Sequence, residues 1–359
     1  MSFEGNMITK IAITGGPGSG KTSVLPYVKN ALEAEGYTVL TVPETATELM
    51  SGGVAPWTCG RNGVFQHCRM RLQREKERAY LEAAESMNDD KIIIVCDRGM
   101  MDTLSYMTDE DFARLTEELG ESRVSLRDGY DAVFHMESAA SYYTTDNNPT
   151  RIETPEEALA LDARLVSAWT GNPHYRMITS CESFEEKADA LICEIKSFLE
   201  EVEIERKFLI EYPDTAFLEK LPNCRKIDIS QTYVTDKNGE NSRVRRRGEG
   251  KDAIYIETVK KHVTDTKRVE VERRITEEEY ERAIKDAASR RRVEKTRYCI
   301  MENGKYFELD IFPFWNDRAI LEIELKSEDE SFDIPSYVKV IREVTEEKEY
   351  RNSSFAAEY

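Results

Sequence analysis

Long apolar runs are missing from this 359-residue chain, and so is any cysteine pattern that would staple it or hold zinc. No stretch approaches the roughly 18 apolar residues that a membrane-spanning helix needs, and the start lacks a basic-plus-apolar leader. Seven cysteines are scattered at Cys59, Cys68, Cys96, Cys181, Cys193, Cys224 and Cys299, an odd number with no C-x-x-C pair. Histidine is scarce and unclustered, four in all, so a zinc site has no support. These absences lead to the expectation of a reduced, cytoplasmic protein without a transmembrane segment. Positive charge is short as well: 50 Lys and Arg against 69 Asp and Glu leave a net charge of -19, which argues against a general nucleic-acid or anionic-membrane binder. The local runs Arg243 to Arg247 and Arg290-Arg291-Arg292 read better as solvated or inward-facing charge than as a nucleic-acid stripe. No internal repeat, low-complexity segment or proline- and glycine-rich linker interrupts the chain.

What is present begins with Gly15-Gly16-Pro17-Gly18-Ser19-Gly20-Lys21-Thr22-Ser23, which satisfies the P-loop spacing. It follows the apolar run Ile11-Ala12-Ile13 and precedes a helical stretch, the context that separates a true phosphate loop from a chance match. Glycines let the backbone approach, successive N–H groups cradle phosphates at a helix N-terminus, Lys21 reaches the outer phosphates and Thr22 offers an oxygen to Mg²⁺. Pro26 falls early in that helix and is expected to distort it. The run Ile92-Ile93-Ile94-Val95-Cys96 reads as a fully buried parallel strand ending at Asp97-Arg98-Gly99. An acid at that end sits beside the phosphate crevice, so Asp97 is assigned to Mg²⁺ or its water shell. Val39 to Val42 reads as a neighbouring strand, and Glu44 just after it is either a general base or a helix cap. Asn147-Asn148-Pro149-Thr150-Arg151 precedes a helical run from Pro155 to Trp169; Arg151 or Arg164 would close over phosphate, or else be surface charge.

The second signal is alternation of charge along strands. Glu203-Ile204-Glu205-Arg206-Lys207 puts two carboxylates and an ammonium on one strand face, because side chains alternate with period two. The habit recurs at Arg243, Arg245 and Arg247; Arg268, Glu270 and Glu272; Lys295 and Arg297; Glu308 and Asp310; and Glu322, Glu324 and Lys326. An ordinary antiparallel sheet has one wet face, but so many strands carrying both signs point to a sheet curled around a charged lining. Carboxylates converging there would suit a hard divalent cation, and the basic residues a polyphosphate.

Residues 201 to 350 resemble the CYTH domain, the triphosphate tunnel metalloenzyme fold, on the E-x-E-x-K signature at Glu203, Glu205 and Lys207. The resemblance implies an eight-stranded antiparallel β-tunnel that binds a triphosphate with Mg²⁺ or Mn²⁺ and usually hydrolyses it. It also implies metal ligation by Glu203, Glu205, Glu322 and Glu324, with Glu270, Glu272 and Asp310 as further candidates. Lys207, Arg243, Arg245, Lys260, Arg268, Lys295 and Arg297 would hold phosphate oxygens. Residues 7 to about 198 resemble the nucleotide-binding domain shared by NadR-type nucleoside kinases and the TRPL translocation defect proteins. The carrying residues are the P-loop, Val42-Pro43-Glu44, Asp97-Arg98-Gly99, and Leu161-Asp162 through Trp169 to Asn172-Pro173-His174.

Length agrees with two domains, since one core usually stops growing below this size. The expected layout is an N-terminal doubly wound parallel P-loop sheet over 1–198, α/β in class, and a strand-rich C-terminal α+β domain over 199–359. Helices are expected at Asn62 to Met87, Phe184 to Glu200, Thr276 to Ala288 and Ser336 to Glu349, the second running into Glu203 so that the domains are closely coupled. The expected activity is metal-dependent triphosphate hydrolysis in the tunnel, on tripolyphosphate or a nucleoside or thiamine triphosphate, beside a domain that binds ATP or GTP. Catalysis would rest on Glu203, Glu205 and Lys207 in the tunnel and on Glu44 and Asp97 at the P-loop. The alternatives are a nucleotide-controlled binder of a polyphosphorylated ligand such as a phosphoinositide, and a P-loop nucleoside kinase with a regulatory C-terminal domain.

Overall fold

In the computed structural model the described residues are 7–60, 62–138, 154–179, 181, 183–200, 204–235, 241–264, 267–327 and 329–358. Contacts divide the chain into two compact units, Met1–Lys196 and Ser197–Tyr359.

The first unit is an α/β layer structure. Strands β1 (Met7–Thr14), β2 (Thr38–Val42), β3 (Lys91–Asp97), β4 (Ala132–Met136) and β5 (Tyr175–Ile178) form a parallel sheet in the order β2-β3-β1-β4-β5. Its helices are α1 (Lys21–Glu33), α2 (Thr45–Ser51), α3 (Asn62–Ser86), α4 (Asp109–Glu118), α5 (Arg123–Arg127), α6 (Pro155–Trp169) and α7 (Phe184–Leu199). Ile92 to Cys96 are buried on both faces of β3, as a continuous β-branched run requires when helices cover both sides. Thr154 caps α6 in a reciprocal capping box with Glu157, with Pro155 at its first position. The expected distortion at Pro26 is corrected: α1 runs unbroken through it. Pro26 lies on the exposed face, where water can meet the carbonyl its missing N–H leaves unpaired.

The second unit is an antiparallel sheet. Its strands are β6 (Ile204–Glu211), β7 (Cys224–Thr235), β8 (Asn241–Arg247), β9 (Ile254–Thr264), β10 (Lys267–Ile275), β11 (Ser289–Glu302), β12 (Lys305–Ile311), β13 (Arg318–Leu325) and β14 (Val340–Glu343). Among the described residues they follow the order β10-β9-β8-β7-β11-β12-β13-β6-β14, and β15 (Ala357–Glu358) pairs with β11. Nine strands thus lie along the path where eight were expected, β14 being an extra edge.

Alternation sorts the two faces. Phe208, Ile210, Tyr298, Ile300, Phe307, Leu309, Leu321 and Ile323 point outward into an apolar core with Leu218 of α8 (Thr215–Leu218). Tyr280 and Ile284 of α9 (Glu277–Asp286) pack on Val234, Val244 and Ile275. The opposite face carries the charges, yet Lys295, Arg297, Asp310 and Glu322 on it are buried, so the sheet curls with that face inward, consistent with a tunnel. Toward one end the inward positions turn apolar. Leu209, Val293, Phe312 and Ile320 gather there with Trp315, Tyr350 and Phe355, the last in α10 (Asn352–Phe355).

The helix expected over Ser336 to Glu349 is not formed. Val340–Glu343 pairs with β6 instead, and a 3₁₀ turn follows at Lys348–Tyr350. The open edge of β6 offers backbone partners that outweigh the helical preference of the glutamates.

Candidate functional site

Phosphate-loop geometry follows from where β1 ends. Gly15 has φ +139°, and a Cβ there would lie 2.1 Å from the Met136 carbonyl oxygen, so only glycine fits. Gly20, also left-handed, opens α1 at Lys21. The Lys21 Nζ donates to the Gly16 carbonyl at 2.8 Å and to Ser19 Oγ at 2.9 Å. Burial, helped by the nearby Arg98 charge, brings the Lys21 pKa down to about 7. Thr22 Oγ1 donates to Asp97 Oδ2 at 3.2 Å, while Asp97 Oδ1 is buried without a partner. Burial and the Glu44 charge push Asp97 up to about 6. An under-bonded carboxylate beside a P-loop threonine fits a hydrated Mg²⁺. Ser23, the residue after Thr22 in the first turn of α1, is exposed.

Glu44 precedes α2, but its carboxylate caps no backbone N–H of that helix. It accepts from Arg98 Nε at 2.5 Å and from Thr47 Oγ1 at 2.6 Å. Although burial opposes it, Arg98 draws the Glu44 pKa down to about 2. Arg98 itself has φ 71° and also reaches Asp102 Oδ2 at 3.1 Å and the Gly15 carbonyl at 3.3 Å. Asp102 further accepts from Thr14 Oγ1 at 2.8 Å and Trp169 Nε1 at 2.6 Å. Asp162 of α6 accepts from the Gly16 N–H at 2.6 Å, contacts His135 Nε2 at 3.0 Å and accepts from the Ser138 N–H at 3.4 Å. Sequence reasoning gave no role to Arg98, Asp102, His135 or Asp162. Adjacency to Asp97 could have flagged Arg98, and the Leu161-Asp162 motif Asp162; nothing in the sequence marks Asp102. Arg164 is no lid: it donates to the Leu104 and Met107 carbonyls and ties α6 to the turn Met100–Tyr106. Arg151 lies outside the described residues.

In the second unit the strand register assembles a charged array. Lys207 on β6 lies opposite Glu322 on β13, and Glu205 opposite Glu324. Lys207 Nζ is 2.7 Å from Glu322 and 3.3 Å from Glu205. Arg297 donates to Asp310 through Nε at 2.7 Å and Nη2 at 2.6 Å, reaches Glu322 at 3.0 Å, and pairs with Glu308. Lys295 Nζ donates to Asp310 at 2.5 Å. Against burial, Arg297 and Lys295 hold Asp310 well below the usual carboxylate range. Burial and the neighbouring Arg297 lower Lys295 to about 8.

On β8, Arg243 Nη2 meets Glu272 at 2.8 Å. Arg245 is half-buried, its Nε is shielded from solvent with no partner, and desolvation and Arg243 pull its pKa down to about 9. Desolvation and, after it, the Glu322 charge raise Glu205, although its side chain stays 42% exposed. A divalent cation held by Glu205 and Glu322 would have to displace the Lys207 ammonium that both carboxylates now face.

Among the described residues no three His, Cys, Asp or Glu side chains yet form a ligand set. Instead, Lys207, Lys295 and Arg297 answer the carboxylates. Glu324 is exposed, and Asp310 is committed to its two cations. Glu203 lies outside the described residues, as do the side chains of Lys260, Arg268 and Glu270. No described helix is long and apolar enough to cross a membrane.

Among curated proteins no sequence matches this chain. Of solved structures, the chain is similar to an inorganic triphosphatase at 31% identity, over 43% of this chain and 94% of that one, with TM-score 0.30. It is also similar to a thymidylate kinase from Ehrlichia chaffeensis at 16% identity, over 54% of this chain and 98% of that one, with TM-score 0.35. Residues 10–187 match the family model described as an AAA domain, and the N-terminal part of the chain carries a P-loop domain of that kind.

Proposed function

We propose that the second unit hydrolyses a triphosphate on its inward charged face, with Mg²⁺ or Mn²⁺, and that the first unit binds ATP or GTP at the P-loop. The observation that carries this reading is the division of charge on one face. Glu205 and Glu322 lie near one another on β6 and β13, while Arg245, half-buried and short of a partner at Nε, stands with Arg243 on β8. An anion with several negative oxygens satisfies the second group, and a divalent cation the first. The metal, when bound, supplies a Lewis acid that polarises a phosphoryl oxygen.

The chain's own groups do the rest. Arg243 and Arg245, together with Lys295 and Arg297, neutralise the phosphate oxygens and fix the chain. Lys207 holds Glu205 and Glu322 in place and stabilises charge on the departing phosphate. Lys260 and Arg268 complete the phosphate contacts, and Glu203, Glu270, Glu272, Glu324 and Asp310 the acidic set. At the P-loop, Gly15 to Ser23 enclose the nucleotide phosphates, Thr22 and Asp97 hold Mg²⁺, and Arg151 closes over them. The CYTH-like signature at Glu203, Glu205 and Lys207 supports the same assignment, as does the AAA-domain match for nucleotide binding.

The test is phosphate and pyrophosphate release from tripolyphosphate, ATP, GTP and thiamine triphosphate, with Mg²⁺ or Mn²⁺, in wild type, Lys21→Ala and Glu205→Gln. Turnover lost in Glu205→Gln and kept in Lys21→Ala is expected. The reverse pattern moves the chemistry to the P-loop and overturns the reading; no turnover with stoichiometric ligand retention makes the second unit a binder.

A further inference from the structure

The buried face of α3 carries polar side chains at Gln66, Arg69, Gln73 and Glu77, each no more than 6% exposed. A helix face turned to a core is ordinarily apolar, and a buried charge needs a partner. Gln73 Nε2 donates to Glu77 Oε1 at 3.0 Å and to the Arg98 carbonyl at 2.9 Å, and Glu77 also accepts from Lys10 and Tyr130. Arg69 differs. Its Nη1 reaches Gln66 Oε1 at 3.4 Å, and its Nε and Nη2 have no partner.

Those two nitrogens form one edge of the guanidinium, a fork of parallel N–H donors matched to two oxygens of one anion. Arg127, Arg297 and Arg206 use this same edge on Asp128, Asp310 and Glu343. Burial lowers the Arg69 pKa, the mark of a cation short of counter-charge. Asp102, which acts on it, is already shared by Thr14, Arg98 and Trp169.

Other orphaned atoms occur on the neighbouring elements. Thr103 Oγ1 and Ser105 Oγ in Met100–Tyr106 and Thr45 Oγ1 at the start of α2 are buried and unpartnered. The Met100–Tyr106 turn and α2 both pack on α3, and the Tyr106 ring lies 5.9 Å from the Arg69 guanidinium. Buried polar atoms are nearly always bonded, so an open guanidinium edge on α3, with unpartnered hydroxyls on the two elements packed against that helix, marks a place built for something else to complete.

We infer that this wall of the P-loop unit is a second ligand site, taking a small molecule whose two-oxygen anion, a carboxylate or a phosphate monoester, pairs with the Arg69 fork. Its remaining polar groups meet Thr45, Thr103 and Ser105. The ligand therefore differs from a plain nucleoside, which offers no anion to a buried guanidinium. The inference uses the nucleotide reading only in placing this ligand beside the phosphate loop.

Calorimetric titration of the full chain, loaded with a non-hydrolysable ATP analogue and Mg²⁺, tests it with inorganic phosphate, nucleoside 5′-monophosphates, acetate and succinate as probes. Saturable binding of one anion class is expected, weakened about tenfold to a hundredfold in Arg69→Met. Arg69→Lys should restore it only in part, since an ammonium has charge without the fork, and analogue affinity should hold in both variants. Response to the phosphates or to the carboxylates identifies the anion. Absence of saturable binding in wild type, or equal binding in Arg69→Met, overturns the site. Should Arg69→Met fail to fold, undiminished binding by Arg69→Lys overturns it instead. Failure of the analogue to bind would count against the nucleotide reading alone, and the same titrations on the unloaded chain would still decide this one.

Discussion

Burial brings the Lys21 ammonium down to about 7 before any phosphate arrives. At pH 8 most of it is neutral, and the charge of a bound nucleotide must raise its pKa again. Nucleotide binding at pH 8 should therefore take up a proton at this site, seen as a binding enthalpy that changes with the ionisation enthalpy of the buffer. At pH 6 that uptake should vanish, and the Lys21→Ala chain should not show it. Asp97, raised to about 6, works in the other direction: as pH falls through 6 it gains a proton and becomes a poorer partner for Mg²⁺. Asp310 carries a stability prediction. Its buried carboxylate balances Lys295 and Arg297, so Asp310→Asn should cost roughly 3–5 kcal/mol in urea unfolding by leaving cations uncompensated. Because its pKa is depressed, this contribution is present above the unfolded value of about 3.9 and is lost as pH falls through the lower folded one.

Among the elements, α1 offers the simplest test. Pro26 sits within it on the solvent side, so Pro26→Ala restores one backbone donor and should stabilise the chain by about 1–3 kcal/mol, read from the urea midpoint. Elements with strong local signals could be read in advance. The β-branched run of β3 and the glycines before α1 specify strand and loop without help from the rest of the chain. Period-two charge at Lys207, Lys295, Arg297, Asp310 and Glu322 likewise placed those residues on one face. Val340–Glu343 was misread because edge pairing with β6 is a tertiary event that no local pattern records. The polar face of α3 escaped for a different reason. Gln66, Arg69, Gln73 and Glu77 have the composition of a solvated surface, and only the packed structure shows them buried. Pairing between Glu44 and Arg98 spans 54 positions and was equally hidden.

For the molecule as a whole, a net charge of -19 repels a polyanionic substrate at distance, while the basic side chains attract it only at close range. Under the proposed reaction, kcat/KM for tripolyphosphate should rise on adding salt to a very dilute buffer, before local screening reverses the trend at higher concentration. A fall from the outset would mean that the local field dominates approach. The aromatic packing of Phe312, Trp315, Tyr350 and Phe355 at one end of the inward face adds a rule of direction. In the proposed reaction, a phosphate chain that entered against such a stop could not thread through it. Long polyphosphate would then be shortened from its termini, one small fragment at a time, and never cut in the middle; substrate length would be measured by a wall rather than by a binding constant.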